Sequence, residues 1–402
     1  MTAMHLSFDE EAAVGRLMRF LAIEGVTGKE KAIVQDVTRA LREVGVPSSA
    51  IRQDSAHERI PLPTQTGNLI VQLPGTVAGP RLLFSTHLDT VPLAAGAVPV
   101  RKGKKIVAEG ETALGGDNRT GVAALVTLVA TLLEHSLPHP PITLLFTVRE
   151  ESGLFGARHL DPETLGGPTL GFNVDGKRPD EFTIGAVGAE RWEVEITGKA
   201  AHAGVAPQDG ISATMVAALA LAQVQQAGWF GKIGQADGEG TSNVGSFGGR
   251  GQQPAGDATN VVTDYAHLTG EARSHDSKFV KAIVKVYREA FAAAADRLVD
   301  ARGKKAKVKF TSRLDYYPFR LKDNAPVVEH ALRAGALAGF TPKTRLGNGG
   351  LDANWLVKHG IPTVTFGAGQ HEIHTIQEFV DLDMFLEGCR MALALAQYGA
   401  SA

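Results

Sequence analysis

Five residues able to ligate metal ions, His87, Asp117, Glu151, Asp175 and His374, stand at the punctuation points of an α/β pattern. Four of them follow, directly or within a short loop, the runs RLLFST, PITLLFTV, TLGFNV and PTVTFGAG. Each run is short, apolar or β-branched, and bounded by Pro, Gly or charge, as strands covered on both faces are. Helical patterns separate most of them, which predicts a mostly parallel sheet of βα units flanked by helices. In open sheets of this kind ligands gather beyond the carboxyl ends of the strands. All of these side chains fall at that end. Asp117 opens the stretch DNRTGVAALVTLVATLLEH after a Gly-Gly turn and so reaches the same crevice.

Imidazole and carboxylate donors without thiolate suit zinc, with cobalt or manganese as substitutes, in a working site; closed structural zinc sites favour cysteine. Three carboxylates (Asp117, Glu151, Asp175) and one hydroxide balance two dications, and one carboxylate can bridge a pair of ions roughly 3.5 to 4 Å apart. Without metal the same acids repel one another. Asp89, two residues after His87, is placed to accept from the imidazole nitrogen turned away from the metal. Glu150 is the candidate general base beside ligand Glu151. Taken singly, each residue has a simpler reading: adjacent glutamates as a solvated loop, Asp117 as a helix cap, Asp175 as a turn residue, His374 as a loop histidine. Their joint placement at strand ends is what argues for a site.

Composition bounds the rest. A chain of 402 residues exceeds the size at which single cores stop growing, so two domains are expected. A formal net charge of -2 leaves no electrostatic footprint for nucleic acid. The single cysteine, Cys389, excludes an intramolecular disulfide and reads as a buried thiol in an apolar helix. The amino terminus lacks the basic start of a secretory signal. The apolar stretch TGVAALVTLVATLL is too short to span a bilayer, and ISATMVAALALAQVQQAGWFG reads as a packed helix. A cytoplasmic protein without membrane partners is expected.

The ligand-type residues cluster between His87 and Asp175 and do not resume until His374, which indicates an insertion. Residues 1–188 form the first part of a catalytic domain, 189–318 an inserted domain and 319–402 the second part. The insert reads β-α-β-β-α-β, the order of a ferredoxin-like α+β unit. Its Gly-rich segment VGSFGGRGQQPAGDATN opens no helix and lacks the lysine–hydroxyl pair of a phosphate loop, so it reads as a hairpin.

The segments STHLDTVP, ALGGDNRTGVAAL, TVREESGLFGA, NVDG, GKAAHAGVAPQDGISA, TNVV, GEARS, GGLDAN and GQHEIHT are similar, in order, to the M20 metallopeptidase family, in its peptidase T-like branch. The resemblance implies a zinc-exopeptidase fold and two zinc ions, with His87 and Asp175 on one, Glu151 and His374 on the other, and Asp117 bridging. It implies Glu150 as base and Asp89 as the acid behind His87. It implies that the insert serves as lid and homodimerisation surface, with His202 stabilising an oxyanion, Asn260 binding substrate backbone and Arg273 pairing with a peptide carboxylate. Aspartate at position 175 resembles the aminopeptidase and tripeptidase branch. The stretch between HLDT and Asp117 is shorter than in true tripeptidases, and Asn118 replaces a second aspartate, which speaks against strict tripeptide selectivity. The expected activity is hydrolysis of short peptides. The alternatives are an N-acyl amino acid deacylase or carboxypeptidase, and a noncatalytic peptide-binding dimer, which would need a broken ligand set.

Overall fold

The computed structural model describes residues 6–256 and 258–401. The chain divides into two compact units, Val187–Phe319 and the residues on either side of it. The flanking unit is built on a nine-stranded sheet whose centre runs Ile142–Thr147, Leu82–His87, Leu170–Val174, Thr363–Phe366. These four strands are mutually parallel. Three of them are buried at every residue. Parallel pairing therefore brings the carboxyl ends of all four to one edge of the sheet. Leu69–Leu73 and Ile51–Gln53 extend one side in antiparallel fashion, and Glu181–Ala186, Phe319–Arg320 and Lys343–Gly347 complete the other.

Alternation along the strands feeds two cores. Phe84, Leu144, Phe146 and Phe172 join the larger cluster, with the Phe84 and Phe172 rings 5.3 Å apart, whereas Leu83 and Leu145 point into a smaller one with Leu356 and Ile361. Each such side chain contributes about 1.5–3 kcal/mol when fully buried. The helix Gly116–Glu134 is buried all round from its start to Leu132, because Glu10–Leu21, Lys31–Glu43 and Leu382–Ser401 pack against it. That explains a segment with no polar face. Among the described residues no helix is long and apolar enough to cross a membrane.

A four-stranded sheet absent from the sequence reading joins Val98–Lys102 and Lys105–Glu109 to Phe379–Asp381 and Gln370–His371. Its hairpin closes on Gly103 at φ 63°, with Lys102 opposite Lys105, a two-residue turn that glycine makes cheap. Phe379–Asp381 pairs with Lys105–Glu109, and Lys105 Nζ sits 3.9 Å from the Phe379 ring centroid. The sheet thereby anchors both ends of the loop that carries His374.

The unit Val187–Phe319 has a five-stranded antiparallel sheet in the order Gly231–Gln235, Gly238–Gly248, Tyr265–Ser274, Gly188–Thr197, Lys307–Tyr316. Helices Ala213–Gln226 and Ser277–Arg297 cover one face, and Trp192, Val194, Ile196, Leu268, Tyr287 and Phe291 fill the space between. Ser212 and Asp276 cap these helices by accepting from Met215 N (3.2 Å) and Lys278 N (2.6 Å). Without its first strand the sheet has the expected ferredoxin-like order. The added edge strand, GKIGQ, carries too few β-formers to be read as one.

Candidate metal centre

His87 ends its strand with the imidazole fully enclosed. Its Nε2 lies 3.1 Å from Asp117 Oδ1 and 3.9 Å from Asp175 Oδ1. On the other side Nδ1 lies 3.0 Å from the Asp89 carbonyl oxygen and 3.6 Å from Asp89 Oδ1. The hydrogen bond expected to the Asp89 carboxylate therefore goes to its carbonyl. The carboxylate is committed elsewhere, accepting from Glu150 N (2.9 Å) and Glu151 N (3.2 Å). Either acceptor holds a proton on Nδ1 and turns Nε2 toward the acids.

Asp117 presents one carboxylate oxygen to each histidine. Oδ1 faces His87, and Oδ2 lies 3.2 Å from His374 Nε2, which is also 3.0 Å from Glu151 Oε1. Ligand atoms of His87, Asp117 and Glu151 lie within 4.8 Å of one another. Asp117 does not begin the helix in helical conformation as expected: its backbone is at φ −82°, ψ 100° and its peptide bond to Asn118 is cis. Two side chains, with three hydrogen bonds, hold it there. Glu378 accepts from Gly115 N (2.9 Å) and Asp117 N (3.0 Å), and Asn118 Nδ2 donates to Val174 O (2.6 Å). Asp175 Oδ1 accepts from Gln370 Nε2 at 3.3 Å. His374 sits at φ 63° in a loop whose flanks the small sheet secures.

The loop bearing the two glutamates is held from below by buried acids. Glu30 Oε1 accepts from Gly28 N (2.6 Å) and Arg149 N (3.1 Å), and Asp89 takes the next two amides. Arg149, at φ 53°, is fixed by its side chain, which donates to Thr64 Oγ1 (2.7 Å), Ser152 Oγ (3.2 Å) and the Pro63 carbonyl. Fully buried Arg119 donates to the carbonyls of Leu88 and Ile23, so it braces the turn between His87 and Asp89. Asp352, from GGLDAN, accepts from Thr147 Oγ1 at the end of the neighbouring strand. Glu30, Arg119, Asp352, Gln370 and Glu378 are the site residues that sequence reasoning missed. GGLDAN, GQHEIHT and ALGGDNRTGVAAL flagged the neighbourhoods of Asp352, Gln370 and Arg119, while nothing local marks Glu30 and Glu378.

Burial dominates the electrostatics. It pushes the Glu150 carboxyl well above the usual range, takes Glu151 to about 7 against the hydrogen bond from His374, and with Asp117 beside it takes Asp175 to about 8. Hydrogen bonds to Asp117 and Glu151 raise His374 to about 10. Burial disfavours the charged form of His87, yet Glu150 and Asp117 hold its pKa well above normal. For Asp117 burial also opposes ionisation, and the two imidazoles outweigh it, so its carboxyl titrates low. The raised pKa values of these histidines and carboxyls mean that, without a cation, retained protons would balance the charge of the pocket. A divalent cation would do so directly. Two imidazoles, three carboxylates and no thiolate fit such an ion, and the opposed oxygens of Asp117 fit a bridging role.

The other expected substrate contacts lie in the Val187–Phe319 unit. His202 is exposed, and its Nδ1 accepts from Gly204 N and Val205 N at 3.2 Å each, which places the ring proton on Nε2. Asn260 lies on the adjoining segment: its carbonyl accepts from Ala203 N (2.8 Å), and Val261 bridges to His202. Arg273 departs from the expected free fork. It is already paired bidentately with Glu271 two residues back, at 2.9 and 3.0 Å, because alternate residues of a strand share one face.

Acids and imidazoles gathered beyond the ends of parallel strands suit a metal-dependent hydrolase, and comparison with known proteins gives that class. The model of peptidase family M20/M25/M40 matches residues 83–398. The uncharacterized protein YqjE of Bacillus subtilis is 31% identical over 98% of this chain and 99% of its own length. A tripeptidase structure from Staphylococcus aureus superposes with a TM-score of 0.88 at 29% identity, covering 98% of this chain and all of that one. The structure of aminopeptidase PepT from Bacillus cereus gives 0.83 at 33%, over 98% and 99%. The chain belongs to peptidase family M20/M25/M40. It is a hydrolytic enzyme of the metallopeptidase type, similar to peptidase T proteins.

Proposed function

We propose that this enzyme is a di-zinc exopeptidase acting on short peptides, in the manner of an aminopeptidase or tripeptidase. The observation that carries the reading is Asp117, whose two carboxylate oxygens face His87 and His374 separately. His87 and Asp175 would hold one ion, Glu151 and His374 the other, with Asp117 between them; cobalt or manganese would be tolerated. Two such ions, when bound, make water nucleophilic near neutrality and polarise the scissile carbonyl.

The chain supplies the proton handling. Glu150, buried and anchored through its amide on Asp89, takes the proton of the attacking water and delivers it to the leaving amine. Asp89 keeps the Nδ1 proton of His87 in place through its carbonyl and aligns the glutamate loop through its carboxylate. The outward Nε2–H of His202 is suited to donate to the oxyanion. Asn260 and Arg273 are assigned to substrate, Arg273 after exchanging Glu271 for a carboxylate. The reading extends to a homodimer through the inserted lid unit, whose Gly231–Gln235 strand leaves a sheet edge open, and to cytoplasmic residence.

The test is metal analysis combined with a substrate panel. Two zinc ions per chain and turnover of free-amine di- and tripeptides are expected. Exclusive turnover of N-acyl amino acids, with free-amine peptides untouched, would replace this reading with a deacylase.

A further inference from the structure

Beside Asp175 the flanking unit contains a cavity of about 150 Å3, walled among others by Lys177, Arg178, Glu181, Arg345 and Leu351. Asp175 lines it as well, so the cavity adjoins the acid cluster. A single water occupies about 10–15 Å3 of such space, so there is room for a carboxylate, its methylene stem and several waters.

The charge on its walls is unbalanced. Arg178 pairs with Asp180 (2.8 Å) and approaches Glu181 (3.5 Å), while Glu181 also takes Lys343 (2.9 Å) and Arg345 (3.4 Å). In these ion pairs two acids serve three cations, with Glu387 acting on Arg178 only from farther away. Lys177 is a fourth cation, exposed, and among the described residues its ammonium has no ion-pair partner. Asp175 does not restore the balance if its charge is committed to a metal. Ion pairs this exposed hold their members weakly, so the arginines can turn toward an anion that enters. Arg273, the other expected receptor for a carboxylate, lies in the Val187–Phe319 unit and must first release Glu271.

We propose that this cavity is a substrate subsite that receives a carboxylate of the peptide, with Lys177 as the residue that selects for it. The proposal rests on the peptidase reading and narrows its substrates to peptides presenting an anionic group on the Asp175 side of the metal centre. The carboxylate is either the peptide's own C-terminus or an acidic side chain.

Steady-state kinetics on the metal-loaded protein separate these sources. The panel is an alanine-only peptide as free acid, its C-terminal amide, and an amide of the same length carrying glutamate. A charge-assisted contact predicts a KM about 10-fold lower for a substrate whose carboxylate is seated. Preference for the free acid over its amide assigns the C-terminus, and preference for the glutamate amide over the plain amide assigns a side chain. Lys177→Met should raise the favoured KM toward that of the plain amide with kcat little changed, and Lys177→Arg should restore it. Equal KM values across the panel, or discrimination unaltered in Lys177→Met, would overturn the proposal. If the metal-loaded protein turns over no peptide, the peptidase reading fails on its own. Calorimetric titration with the acid and amide pair then decides the cavity: tighter binding of the acid, weakened by Lys177→Met, upholds it, and equal affinities reject it.

Discussion

Glu378 holds Asp117 by its backbone, accepting the Asp117 amide at 3.0 Å while its other oxygen takes the amide of Gly115 at 2.9 Å. The acid between the two histidines is thus placed by an acid from the far end of the chain. Glu378→Ala leaves both buried amides without an acceptor and frees Asp117 to turn. Loss of such an outer contact typically costs 10–100-fold, so metal affinity should fall by about that factor with the circular dichroism spectrum unchanged. Titration with zinc against a competing chelator reads it directly.

As the proposed base, Glu150 should be separable from metal binding. Its amide is anchored on Asp89, and its side chain contacts no histidine within hydrogen-bond distance among the described residues. Glu150→Gln should lower kcat by roughly 10²–10⁴-fold, the usual worth of a positioned base, with the metal content of the wild type. Near-normal turnover with metal fully bound would remove Glu150 from the mechanism.

The metal-free protein should become less stable as pH rises. Asp175 and Glu151 titrate at about 8 and about 7 in the folded state, above ordinary carboxylates. The folded chain therefore binds more protons than the unfolded one, and the stability these groups contribute is present at low pH and lost as pH climbs through those values. His374, raised to about 10, acts in the same direction above the ordinary histidine range: its contribution is intact below that range and lost as pH approaches the raised value. Asp117 contributes oppositely, but only in acid, where its low pKa is approached. Metal binding requires deprotonated acids and neutral imidazoles, so metal should stabilise more at pH 8.5 than at pH 5.5. Thermal melts of chelated and reloaded protein at both pH values check the two slopes. A chelated protein that melts higher at the alkaline pH would contradict them.

Leu125, fully buried in the helix Gly116–Glu134, tests the scaffold apart from the chemistry. Leu125→Ala should cost about 2–5 kcal/mol of unfolding free energy through lost burial and the cavity left behind. Zinc stoichiometry should not change. Denaturant melts and metal analysis on the same sample separate the two effects.

Much of this architecture was readable from the chain because parallel strands buried on both faces leave unbroken apolar runs, and chemistry-bearing residues follow them directly. RLLFST and TLGFNV run straight into His87 and Asp175, and the structure brings both side chains to Asp117. What stayed hidden depends on register and side-chain direction. Glu378 reaches across 261 residues to the Asp117 amide with no local signature, and Asp352 reaches across 205 to Thr147, a partner that GGLDAN does not name. The hairpin Val98–Lys102/Lys105–Glu109 buries only Ile106 and includes Pro99, so its pattern is faint, yet it secures the His374 loop. The turn after His87 brings the Asp89 carbonyl closer than its carboxylate, a choice that spacing alone does not specify. Nor does the GEARS motif show that Glu271 will occupy the Arg273 fork.

On the proposed reading, Asp117 serves two cations at once. Anomalous diffraction at the zinc edge from crystals of the zinc-loaded protein tests it most directly. Two peaks roughly 3.5–4 Å apart are predicted, one on the His87 and Asp175 side of Asp117 and one on the Glu151 and His374 side. A single peak at saturating zinc, or two peaks that Asp117 does not join, would show that Asp117 is not a bridge.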